Sequence, residues 1–260
     1  MSAQRCTVVW GLKRSGIHLV VNWLFANLGG RIKGELEAST LHPQLRDGFA
    51  DDARGVAFFN NCGGLHSRSF SLGDLTAADL NAAVASHQST ILGMEDCSLN
   101  LAALPRAIPG SASLLVLRDP LNNLASRMKA AETRPEVFRF DVGYIDLYES
   151  YCAEALGRTS HLPAKVVVSF NRFVQDRSHR DEVASALGLV NVDDLTEVAG
   201  YGGGSSFSRD RLSSTEDLMT RFLQHPLPAV IVDELLARHD IREACSRLFG
   251  YDLEAVVAAR

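Results

Sequence analysis

Residues 10–18, Trp-Gly-Leu-Lys-Arg-Ser-Gly-Ile-His, hold two glycines, two cations and a hydroxyl in one short stretch. Gly11 and Gly16 permit positive φ and close approach of the backbone to a ligand. A helix beginning here would aim unpaired N–H groups and the positive end of its dipole at one point. Lys13, Arg14 and the Ser15 hydroxyl add donors at that point, and the whole suits a phosphate. The loop nearly matches the GxxxxGK[ST] pattern. Gly11 and Gly16 fit, but Ile17 and His18 stand where the Lys and the Mg²⁺-binding hydroxyl belong. A triphosphate hydrolase or a kinase is disfavoured by that mismatch.

Three further groups carry chemistry. Arg118 and Ser126 are eight apart. Pro120 suits a helix N-terminus, which leaves Ser126 about two turns into that helix. Glu95-Asp96 is a carboxylate pair at the end of an apolar run. Gly202-Gly203-Gly204-Ser205-Ser206 can form a backbone nest for an anion, followed by Arg209 and Arg211.

The elements that position these residues follow from short apolar runs and periodicity. Strands are expected at Arg5 to Trp10, Thr90 to Met94, Ser113 to Leu117 and Lys165 to Phe170. Ile17, Val20, Val21, Leu24 and Leu28 recur with helical spacing, and so do Leu121, Leu124, Ala125 and Met128. Tyr144, Leu147, Tyr148 and Tyr151 mark another helix. Others are expected near 76–87, 179–187, 218–223, 228–238 and 241–249. Residues 38–75 read as irregular, with one short strand at Val56 to Phe59. Strands alternating with helices predict an α/β fold: three layers, a mostly parallel central sheet flanked by helices, in one domain over 1–260. Ligands of such sheets sit at the carboxyl ends of strands.

At this point the chain resembles the sulfotransferases that use 3′-phosphoadenosine-5′-phosphosulfate (PAPS), whose fold is P-loop-NTPase-like. Leu12 to Ile17 (LKRSGI) matches the centre of their first motif, and residues 114–127 (LLVLRDPLNNLASR) look like their second. The resemblance implies that Lys13, Arg14, Ser15, Gly16, Ile17 and His18 hold the 5′-phosphosulfate. It implies that Arg118 and Ser126 hold the 3′-phosphate, with Gly203, Gly204, Ser205 and Ser206 as the late loop that closes over it. The sequence departs from the family at Ile17-His18, where Thr-Thr is frequent, and in lacking the Arg-Lys-Gly form of the late loop. Phe170 stands at the place of an adenine-side Tyr and reads as core.

Sulfuryl transfer needs a held donor, an aligned hydroxyl or amine, a base, and cations for the departing phosphate. The family's base ends a strand about twenty residues before the second motif. Glu95 is the favoured base here, with Asp96 as the alternative because strand side chains alternate. His66 is a rival. Lys13 and Arg14 would stabilise the leaving group, with Lys13 standing in for a family Lys that Gly93 and Met94 replace. Residues 38–88, where acceptor choice should lie, match nothing in the family.

Composition agrees with a globular chain of this kind. Of 260 residues 46% are hydrophobic and 22% charged, with 26 basic against 31 acidic, a formal charge of −5. Yet residues 1–34 hold Arg5, Lys13, Arg14, Arg31 and Lys33 and no acid, which points to a local anion site rather than a nucleic-acid surface. No apolar run reaches the ~18 residues of a membrane span, and the N-terminus lacks a secretory pattern. Five cysteines without CxxC spacing and no HExxH predict free thiols, a cytoplasmic location and no bound metal. The reading is a metal-independent PAPS sulfotransferase acting on a hydroxyl or amine of a glycan or small molecule. The alternatives are an ATP-dependent small-molecule kinase and a non-catalytic adenine-nucleotide-binding module.

Overall fold

The computed structural model describes residues 5–28, 49–51, 56–60, 85, 88–102, 110–135, 138, 142–162, 164–193, 195 and 215–259. Strand β1 (Arg5–Gly11) leads into helix α1 (Ile17–Asn27). Strands β2 (Phe49–Asp51), β3 (Val56–Asn60) and β4 (Ser89–Glu95) follow. Next come β5 (Ala112–Leu117), α2 (Pro120–Ala131) and α3 (Val142–Ala155). Strand β6 (Val166–Ser169) runs directly into α4 (Phe170–Gln175), then α5 (Arg177–Ala186). The later helices are α6 (Thr215–Met219), α7 (Arg221–Gln224), α8 (Ala229–Ala237), α9 (His239–Phe249) and α10 (Leu253–Ala258).

The sheet order is β2-β3-β4-β1-β5-β6, and only the edge pair β2/β3 is antiparallel. Alternation along the strands sends side chains to both faces. Val8, Trp10, Leu115 and Leu117 pack with Leu121 of α2, Tyr148 and Tyr151 of α3, Leu235 of α8, Ile241 of α9 and Leu253 of α10. Val9, Ile91, Leu114 and Val116 pack on the other side with Trp23 and Leu24 of α1, Phe173 of α4 and Val183 of α5. Both faces of a parallel sheet are thereby covered, the condition for such a sheet to be stable in water. The expected three-layer α/β architecture is present.

Three expectations change in detail. The stretch 38–75 contains two strands among its described residues, β2 and β3, rather than one. The run from Lys165 ends as strand at Ser169, because the Ser169 hydroxyl accepts from the Arg172 amide (3.5 Å) and Phe170 opens α4. The helix expected over 218–223 is two short helices, α6 and α7, separated at Thr220. The helix expected over 76–87 lies outside the described residues apart from Ala85, as do His66 and the 200–206 loop. Cys6, Cys97, Cys152 and Cys245 are buried free thiols. No helix among the described residues is long and apolar enough to cross a membrane.

Candidate functional site

Strand β1 is central, and its last residue fixes the site. Gly11 lies opposite Glu95 of β4 and Val116 of β5, so the carboxyl ends of three parallel strands meet at one edge. The turn from Gly11 to α1 is tight. A Cβ at Gly11 would stand 2.6 Å from Ile17 Cδ1 and 3.0 Å from Ser15 Oγ. Gly16 caps α1 at φ 93, where any Cβ would overlap the Phe170 ring. No side chain caps this helix and its first turn holds no acid. Its leading N–H groups and positive dipole end are therefore open to an anion. The Ser15 hydroxyl is buried in the same loop without a hydrogen-bond partner. Leaving such a group unmatched costs about 1–3 kcal/mol, a cost that an anionic acceptor of hydrogen bonds would remove. Ile17 contributes its backbone; its side chain is core.

Asp96 braces the loop from the neighbouring strand. It adopts φ 52, and its amide donates to Gly11 O (3.0 Å). Its Oδ1 accepts the Lys13 amide (2.8 Å) and its Oδ2 pairs with Arg127 Nη1 (2.9 Å). Both carboxylate oxygens are thus engaged in holding structure. Glu95, one residue earlier, points elsewhere. It is 3% exposed, and its Oε1 lies 3.6 Å from His18 Nε2. Burial holds His18 below the ordinary imidazole range, with Arg14 acting in the same direction and Glu95 against it.

Two guanidiniums meet at Ser126, and a third, Arg118, bonds to the loop beside it. The Ser126 hydroxyl accepts from Arg14 Nε (3.3 Å) and from Arg221 Nη1 (3.0 Å). Arg118 Nη1 donates to the Arg14 carbonyl (3.4 Å), and Arg14 is itself held at φ 73. A non-glycine residue in that region costs on the order of 1 kcal/mol, a strain that clusters at functional sites. All three are pushed below the usual guanidinium range. Arg14 falls to about 10 through burial and then repulsion from Arg134, opposed by Glu95. Arg118 falls to about 10 through burial and then Arg14, opposed by Asp119. Arg221 falls further, through burial, Arg118 and Arg14. The natural relief for such a cluster is a polyanion. Phe170 is buried but belongs to neither hydrophobic cluster. It is wedged between Gly16 and the Arg118 guanidinium, whose Cζ lies 5.4 Å from the ring centroid.

Arg221 was not among the expected site residues. It reaches the site because Asn122 of α2 docks the α6–α7 turn, donating to Met219 O (2.8 Å) and accepting from the Phe222 amide (3.2 Å). Arg118 Nη2 adds a bond to Leu218 O. Asn122 is in turn oriented by Asp119, the N-cap of α2, which also exchanges hydrogen bonds with Asn171 (2.9 and 3.1 Å). The apolar spacing of 218–223 announces a helix but not this docking.

Helix α3 supports the rim. Tyr144, Tyr148 and Tyr151 fall at i, i+4 and i+7, one face of a helix. Tyr144 donates to Asn123 Oδ1, and Asn123 Nδ2 donates to Lys13 O (3.4 Å). Tyr148 donates to the Arg118 carbonyl and Tyr151 to Cys97 O (2.9 Å). Burial raises all three phenols, so they remain donors.

Lys13, Arg14, Ser15, Gly16, His18, Glu95, Arg118 and Ser126 are therefore gathered at one sheet edge. Gly203, Gly204, Ser205 and Ser206 fall outside the described residues. No group of three or more His, Cys, Asp or Glu able to hold a metal occurs among the described residues. No protein-family profile matches the chain, and no curated protein sequence matches it. Among solved structures the chain is similar to the sulfotransferase domain of the olefin synthase from Synechococcus PCC 7002. The identity is 13% and the TM-score 0.48, over 95% of this chain and 95% of that one.

Proposed function

We propose that this chain transfers a sulfuryl group from PAPS to a hydroxyl or amine acceptor. The observation that carries the reading is the meeting of Arg14 and Arg221 at Ser126, with Arg118 bonded to the Arg14 carbonyl, beside an uncapped helix and one carboxylate, Glu95, at the same edge. In this reading Arg118, Arg221 and Ser126 receive the 3′-phosphate. Lys13, Arg14, Ser15, Gly16 and the N–H groups of Ile17 and His18 receive the 5′-phosphosulfate. Gly203, Gly204, Ser205 and Ser206 supply further contacts to the nucleotide. Acceptor choice lies with residues 38–75.

Glu95 takes the acceptor's proton while the acceptor oxygen or nitrogen bonds to sulfur. The bond between sulfur and the 5′-phosphate oxygen breaks, and its electron pair stays on that oxygen. Lys13, Arg14 and the α1 dipole stabilise the charge that develops there. Asp96 is unsuited to the proton because the Lys13 amide and Arg127 occupy its two oxygens. Donor binding needs no Mg²⁺ in this reading, since Ile17 and His18 replace the residues that would recruit it. The test is thermal stabilisation in excess chelator by adenosine 3′,5′-bisphosphate, AMP, ATP and NAD. Stabilisation by the bisphosphate well above the other three is expected. A preference for ATP that requires Mg²⁺ would favour a kinase instead.

A further inference from the structure

We infer that the acceptor itself carries an anionic group, a carboxylate or a phosphate, and that Arg134 beside the Phe138 ring is the subsite that receives it. The inference rests on the sulfuryl-transfer reading above. Its observation is an excess of cations among the described residues. Four cationic heads surround the buried Phe138 ring: Lys13 Nζ at 6.0 Å from the centroid, then the Cζ atoms of Arg127 at 5.9 Å, Arg14 at 5.8 Å and Arg134 at 5.2 Å. An aromatic ring attracts a cation over each of its two faces and cannot offset the mutual repulsion of four. Asp96 neutralises Arg127 at 2.9 Å, and Glu95 acts on Arg14. Lys13 and Arg134 form no ion pair with any described residue.

The donor's own charge decides which cations are surplus. Its 3′-phosphate carries about two negative charges, and the phosphosulfate supplies the remainder, one on each side of its bridging oxygen. Arg118 and Arg221 match the first, and Arg14 and Lys13 match the second. Arg134 is left over. It lies just past α2, its amide bonded to Ala130 O (3.1 Å), and its side chain is only partly buried, so it is fixed by the backbone yet open to solvent. It also lies close enough to Arg14 to lower that group's affinity for its proton, while Glu95 raises it. The surplus cation and the proton acceptor thus share a neighbour. Arg14 and Arg134 share the Phe138 ring at 5.8 and 5.2 Å, so an acceptor whose hydroxyl meets Glu95 beside Arg14 can present an anionic substituent to Arg134.

The test uses the full chain saturated with adenosine 3′,5′-bisphosphate at fixed ionic strength. Inorganic phosphate and acetate are titrated separately by calorimetry. A second anion is expected to bind, and Arg134→Gln should weaken it at least about tenfold, the worth of one charged hydrogen bond. The same variant should leave bisphosphate affinity unchanged, and Arg134→Lys should retain most of the second binding. Binding of phosphate alone would assign a phosphorylated acceptor; binding of acetate as well would extend the class to carboxylates. No second anion, or one lost in Lys13→Gln and kept in Arg134→Gln, overturns the inference and leaves the donor reading standing. Equal weakening of bisphosphate and second anion by Arg134→Gln also overturns it, by moving Arg134 to the donor. Failure of the bisphosphate itself to bind removes the donor reading and this inference together.

Discussion

Glu95→Gln is expected to bind the bisphosphate like the parent chain and to lose about 10²–10⁴ in turnover with PAPS, the usual worth of a general base. Turnover retained in Glu95→Gln and abolished in Asp96→Asn would transfer the role to Asp96. The geometry argues against that transfer, because Asp96 spends both oxygens on the Lys13 amide and Arg127. Arg221→Gln separates binding from stability. Removing one of three mutually repelling buried guanidiniums should raise the melting temperature of the free chain. It should weaken bisphosphate binding by about tenfold or more and leave AMP, which lacks the 3′-phosphate, nearly unchanged. Equal losses for both nucleotides would show that Arg221 does not read the 3′ group. At this scale the sequence was informative where chemistry is local. The glycines, cations and hydroxyl of 10–18 and the Arg118/Ser126 spacing can be read without a structure. Arg221 cannot, since nothing near it in sequence distinguishes it from a solvated helix arginine. Its position depends on Asn122, about a hundred residues away.

The junction of β1 and α1 depends on a contact with α4. Gly16→Ala meets two penalties, a φ of 93 and overlap with the Phe170 ring, and should cost about 2 kcal/mol or more in urea unfolding. Adding Phe170→Ala removes the overlap and leaves the backbone strain, so the double variant should lose less than the sum of the single changes. A Gly16→Ala chain as stable as the parent would mean that the turn relaxes away from Phe170. The strands β1, β4 and β5 were legible to within a residue or so, because buried parallel strands read as short β-branched runs. The end of β6 was not. Val-Val-Val-Ser-Phe continues as an apolar run, and only the Ser169 cap reveals that Phe170 already belongs to a helix. That one-residue shift turns Phe170 from a strand-end core residue into the spacer between Gly16 and Arg118. Thr220 hides a similar break: periodicity spans it, while the chain interrupts α6 and α7 there.

Across the molecule, acid should weaken the fold through Glu154, near the C-terminal end of α3. Burial alone would raise Glu154, but Lys165 (2.8 Å), Thr159 and the amides of Leu162 and His161 (3.0 Å each) outweigh it and hold the carboxyl at about 2. A folded value below the unfolded 4.5 means that the contribution is complete above pH 4.5 and fades as pH falls toward 2. Its size is on the order of 2–3 kcal/mol. Urea midpoints measured from pH 6 to 2 should fall less steeply in Glu154→Gln than in the parent, and identical slopes would remove Glu154 as the cause. The same helix carries the three tyrosines whose hydroxyls hold Asn123, Arg118 and Cys97. Residues that follow β4 and β5 therefore hang from one element that is far from them in sequence. Opening of that rim by separate fraying would have to break bonds to a helix that stays in place. Native-state hydrogen exchange should then find the amides near 97, 118 and 123 opening together with α3, with one shared free energy rather than three. The edge of the sheet where an anion would enter is, on this view, the outer surface of a single cooperative unit, and loosening α3 at any of its three tyrosines should quicken exchange at all three places.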